Sequence, residues 1–130
     1  MAVTLQTSAR NAACDAIVDL VDAGAGAGTL EFKTSGGTST QGNGEVATLT
    51  FSDPAFGSAS TGVATASAIT SDTNATGGTT TQAYFYDSNG NPVLACSVGT
   101  SGSDINLTNN VVVAGETVAI TSLTVTVPAS

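Results

Sequence analysis

The side chains that could do chemistry in this chain are few, and most are of the wrong kind. Nucleophilic catalysis needs a Ser, Thr or Cys activated by a neighbouring base. The 130 residues include no His and no Gly-x-Ser-x-Gly turn. Paired carboxylates can drive acid–base chemistry, as in glycoside hydrolysis. The candidates Asp53, Asp72, Asp87 and Asp104 all sit beside Ser, Asn or Pro, where Asp tends to bond its own backbone. They read as turn residues. Asp15, Asp19 and Asp22 read as the wet face of a helix. A twelve-residue Ca²⁺ loop with its closing Glu is missing, and Zn²⁺ would lack both His and a Cys pair. Gly24, Gly26 and Gly28 follow a helix rather than a strand, which is the wrong context for a dinucleotide fingerprint. No catalytic, cofactor-binding or metal-ligating residue is assigned, and no enzyme is expected.

Composition narrows the class further. Two basic residues against ten acidic ones give a formal net charge of -8. Arg10 and Lys33 cannot make a basic groove, so nucleic acid is not an expected partner. No stretch approaches the ~20 apolar residues of a membrane span, and Met1 to Gln6 lacks the basic and apolar regions of a secretory signal. Thr (22), Ala (20), Gly (15) and Ser (14) dominate, a coat suited to an extracellular setting or a particle. Cys14 and Cys96 have no Cys-x-x-Cys spacing and are expected as reduced, at least partly buried thiols.

The elements that must position these residues are mainly β. Only residues 8–23 show helical spacing, with Ala13, Ile17, Leu20 and Val21 on one apolar face and Thr7 or Ser8 as cap. The run Ala23 to Gly28 reads as a flexible connector that sets the helix outside the β-domain. The expected division is residues 1–28 for helix and connector and 29–130 for the β-domain. From Thr29 the period becomes two. Leu30 and Phe32 alternate with Glu31 and Lys33, placing the opposite-charge pair toward solvent. Residues 35–44 read as a mobile loop. Ala47, Leu49 and Phe51 form a second strand, and residues 61–70 a third. Asn89-Gly90 predicts a two-residue type I′ hairpin, pairing Tyr86 with Val93 and Phe85 with Leu94. Phe85, Leu94, Cys96 and Val98 then share one face, and Tyr84, Tyr86 and Ala95 the other. Short strands follow around Ile105, Val111, Val118 and Val125. The fold class is an antiparallel β-sandwich, jelly-roll or Ig-like, preceded by one α-helix.

The segments Arg10-Asn11-Ala12-Ala13-Cys14-Asp15-Ala16-Ile17 and Thr29-Leu30-Glu31-Phe32-Lys33-Thr34 resemble a family of small tailed-bacteriophage virion proteins, the head decoration or cement proteins. The closing run Leu123 to Val127 is similar to the last strand of that family. The resemblance implies a β-sandwich made in the host cytoplasm and added to the outer capsid surface, with no catalytic residues. Its partners would be the major capsid protein and further copies of itself, expected as a trimer. The helix face Ala13, Ile17, Leu20 and Val21 is the candidate anchor, and Tyr84 with Tyr86 a candidate subunit-contact face. The alternatives are a neck, tail or fibre component, and a surface adhesin or carbohydrate-binding sandwich.

Overall fold

The computed structural model describes residues 3–130. Its elements are a helix α1 (Thr7–Asp19), continued by a 3₁₀ turn (Leu20–Asp22), and nine strands. These are β1 (Thr29–Lys33), β2 (Glu45–Thr50), β3 (Val63–Thr65), β4 (Gly78–Thr79), β5 (Gln82–Tyr86), β6 (Pro92–Gly99), β7 (Ile105–Asn106), β8 (Val111–Val112) and β9 (Thr124–Thr126). The main sheet has the order β2-β1-β5-β6-β7, antiparallel except for β6 with β7. Two small antiparallel pairs, β3-β9 and β4-β8, complete a mainly β, partly closed sandwich.

The period-two pattern of β1, β2 and β5 sends Leu30, Phe32, Leu49, Ala83 and Phe85 into one core. Phe51, Phe56 and Phe85 cluster there with centroids 5.4 to 6.3 Å apart. The third expected strand is regular only over Val63–Thr65, with isolated bridges at Ala66 and Thr70. Val118 likewise makes only a bridge, to Asp72.

The β5–β6 hairpin corrects the expected turn. Gly90 N–H bonds Asp87 O, Asp87 N–H bonds Asn91 O, and Gly90 has φ +84°. This is a three-residue loop, a type I turn followed by a glycine in the left-handed region. The cause is the Asp87 carboxylate, which accepts the N–H groups of both Asn89 and Asn91 at 2.9 Å. Tyr86 therefore faces Pro92, and a register shift beside it restores the expected Phe85–Leu94 pair.

The helix is docked on its own chain rather than hanging from a hinge. Its start carries no side-chain cap, with Gln6 as the N-cap residue. Cys14, Val18 and Val21 are buried in the same core as the sheet. Ala13 and Ile17 are half-buried and Leu20 is 56% exposed, so the buried stripe lies to one side of the expected one. Two carboxylates expected in water instead cap loops: Asp15 accepts Ala59 N–H at 2.7 Å and Asp22 accepts Ala55 N–H at 2.8 Å. Asn11 accepts Gly62 N–H, and Arg10 Nε donates to Val127 O. The connector is held too, because Ser88 donates to Ala23 O and Phe51 N–H to Gly28 O. A Cβ at Gly28 would stand 2.3 Å from Tyr86 O, so only glycine fits between helix and hairpin.

Val18→Asp puts a carboxylate into this core and is expected to cost at least about 3 kcal/mol in urea unfolding. Leu20→Asp should stay within about 0.5 kcal/mol of wild type. The reverse order of cost would contradict the observed helix rotation.

Candidate functional site

Strand alternation places Glu31, Lys33, Tyr84 and Tyr86 on the face of the main sheet opposite the phenylalanines, with Glu31 directly across from Tyr84. That face was expected to meet solvent. Lys33 is 0% and Glu31 2% exposed, which corrects the expectation, and the reason is the segment 34–44. It folds back over the sheet and closes on the lysine.

Lys33 Nζ lies 2.9 Å from Glu31 Oε1 and donates to Thr40 O at 2.9 Å and Asn43 O at 2.8 Å. An ammonium has three protons to donate, and all three have acceptors. The charge also stands 5.5 Å from the ring centroids of both Tyr84 and Tyr86, within cation–π range. Glu31 Oε1 accepts Gly42 N–H at 2.7 Å, and the Tyr86 hydroxyl donates to Ser39 O at 2.9 Å. Gln82 Nε2 donates to Thr34 O and Gly37 O. The loop is thus fixed at Thr34, Gly37, Ser39, Thr40, Gly42 and Asn43, not mobile. Its glycines and threonines carry no sequence signal of this. The available signal was the placement of the only lysine on the same face as two tyrosines.

Burial alone would lower the Lys33 pKa, but the Glu31 carboxylate and the Tyr86 hydroxyl outweigh it and hold the amine above its ordinary value. Burial pushes the Tyr86 hydroxyl up as well. Cys96 is pushed up to about 12 by burial and by the Asp104 carboxylate. Hydrogen bonds from Asn91 and its neighbours hold the Asp87 carboxyl below its usual range. Asp72 accepts Asn74 N–H within its own turn and Thr48 N–H across to β2, and Asp104 accepts Ser97 N–H. These carboxylates serve turns and strand edges. Among the described residues no three His, Cys, Asp or Glu side chains gather as metal ligands, and no helix is long and apolar enough to cross a membrane.

The expected site residues end up in different surroundings. Tyr86 is buried beneath the loop and Tyr84 half-buried, stacked on each other at 6.1 Å. They form the floor of the lysine cage, which encloses Tyr86 and leaves only Tyr84 partly accessible. The candidate anchor is divided, with Val21 in the core and Leu20 outside. Cys14 and Cys96 are both free thiols, one buried and one half-buried, and Cys96 shares the Phe85–Leu94 face as expected.

No protein-family model, curated protein or solved structure matches the chain. The likeness to head decoration proteins thus rests on the sequence motifs alone.

Lys33→Met leaves Glu31 buried without its counter-charge and is expected to cost about 3–5 kcal/mol, whereas Glu31→Leu combined with Lys33→Met should recover most of that loss. The pH dependence has a definite sign. A folded pKa above the unfolded value means the lysine's contribution is complete below about pH 10.5 and fades as pH rises through the folded pKa. Denaturant unfolding of the three proteins across alkaline pH checks both points. Equal stability of wild type and Lys33→Met at neutral pH would contradict the role assigned to the cage.

Proposed function

We propose that the chain is a structural protein of a bacteriophage virion, a decoration or cement protein on the outer head surface that stabilises contacts between capsomers. The observation that carries this reading is the position of the two basic residues. Lys33 is enclosed by the 34–44 loop, and Arg10 is half-buried on Val127 O. Glu31 and Asp87 are buried as well, but the other eight carboxylates are exposed or half-buried, so most of the net charge of -8 lies on a Thr, Ser and Asn surface with little compensation. Such a surface repels phosphate backbones and suits the outside of a DNA-filled shell rather than its lining. The N-terminal resemblance supports the same reading.

The partner is the major capsid protein. The helix offers it Ala12, Ala16 and Leu20, all exposed, with Ala13 and Ile17 half-buried beside them. This outward stripe takes the anchoring role from a stripe that included Val21. Arg10, Asn11, Asp15 and Asp22 hold the helix rigidly to the sandwich, so a contact made by the helix loads the whole domain.

Quantitative mass spectrometry of purified particles from the genome that encodes the chain tests this role. The expected copy number is comparable to that of the major capsid protein. A few copies per particle would place the chain in the neck, tail or fibre and contradict decoration. Absence from particles would contradict a virion role altogether.

A further inference from the structure

The sandwich is open along one seam. Strand β6 runs from Pro92 to Gly99, but β7 pairs with it only at Val98 and Gly99. Val98 N–H bonds inward to Thr81 O, while Ser97 N–H points outward to Asp104. By alternation the N–H and C=O of Ala95 point outward as well, and among the described residues no strand lies against them. Strand β9 faces the same gap. Ala66 N–H bonds Leu123 O, and Val127 N–H bonds Gly62 O. Leu123 and Val127 therefore turn toward β3, and Thr124 and Thr126 present their backbone groups to the seam.

Between these two bare edges lies a groove of about 450 Å³ whose floor includes Phe85, Leu94, Cys96 and Leu123. Leu94 and Cys96 occupy core-face positions yet are only half-buried. An apolar floor flanked by two unpaired backbone edges is the geometry that accepts an added β-strand.

One segment of the chain has the matching pattern. Val3-Thr4-Leu5-Gln6 alternates apolar and polar residues, as a strand buried on one face requires. Val3 is 80% and Leu5 37% exposed, and Gln6 has extended dihedrals (φ -77°, ψ 164°). Its backbone ties to its own chain are two hydrogen bonds, from Leu5 N–H to Ala129 O at 2.7 Å and from Arg10 N–H to Gln6 O at 3.0 Å in the first helical turn. Charge selects the same segment. All ten acidic residues lie at or beyond Asp15, so residues 3–14 can approach Asp104 on the groove rim without the repulsion that the rest of an acidic copy would meet.

We propose that the β6–β9 groove is a strand-acceptor site for residues Val3–Gln6 of a second copy of this chain. The arm of one copy closes the sandwich of the next, a head-to-tail contact that builds a ring when the rotation closes. The inference concerns contacts between copies and does not depend on a capsid.

Native Cys96 reports on the occupant directly. Val3→Cys and Leu5→Cys variants, oxidised with diamide, are expected to give covalent dimers and larger species on a non-reducing gel, lost when Cys96→Ala is added. A disulfide confined to monomers would show the arm closing its own groove and overturn the proposal. Ala95→Pro removes the outward N–H without touching an existing strand bond, and Val3→Asp with Leu5→Asp adds charge to the arm. Each should convert a wild-type oligomer to monomers in sedimentation while the far-ultraviolet circular dichroism is kept. A wild type that is monomeric at its highest soluble concentration, or folded variants that stay oligomeric, would overturn the proposal. Oligomers that exchange arms yet never appear in particles would sink the virion role alone.

Discussion

The contact between Lys33 and Glu31 organises one whole side of this molecule. Removing two charges from water costs several kcal/mol per ion, and such a pair holds only when its remaining hydrogen-bonding capacity is filled. Here the ammonium's other two protons go to backbone carbonyls of the 34–44 loop, and the carboxylate takes a backbone N–H from the same loop. The ion pair and the loop therefore require each other. Without the loop the charges would be solvated side chains on an open sheet. Without the charges a glycine- and threonine-rich segment would have too little apolar surface to hold itself down.

Polar side chains do comparable work across the rest of the chain, because aromatic residues are scarce. Carboxylates and amides from the helix cap N–H groups of distant loops, and Asp72 and Asp104 cover N–H groups at the edges of β2 and β6. Each such bond gives a net contribution of about 1 kcal/mol, more where charge assists. The stability of this small sandwich is spread over many such ties around one core of Phe, Leu, Val and Ala. The acidic residues are thus structural parts as well as surface charge.

How far the sequence could be read follows from the range of each interaction. Period-two alternation is local, so β1, β2, β5 and β6 were legible, as was the Phe85–Leu94 register. The hairpin loop is one residue longer than the Asn-Gly pair predicts because Asp87, outside that pair, captures two N–H groups and resets the turn. The helix face was ambiguous for a different reason. In an Ala-rich helix the sets Ala13/Ile17/Leu20 and Cys14/Val18 are nearly equivalent apolar stripes. Docking by Asn11, Asp15 and Asp22 decides between them. The burial of Glu31 and Lys33 was hinted at only by the lysine sharing a face with two tyrosines, since alternation assigns a face but cannot tell that a loop will cover it. The open β6–β9 seam was equally hidden, being a matter of which edges go unpaired.

The central claim is that the 34–44 loop is a fixed cap clasped on a buried ion pair. Amide hydrogen exchange at Gly42, Asn43 and Thr34 tests it most directly, because these N–H groups bond Glu31 Oε1, Thr40 O and Gly44 O. Protection of all three approaching that of the β1 and β5 core amides, and lost together with it, is the predicted result. Exchange at the rate of an unstructured peptide, while β1 and β5 remain protected, would contradict the account.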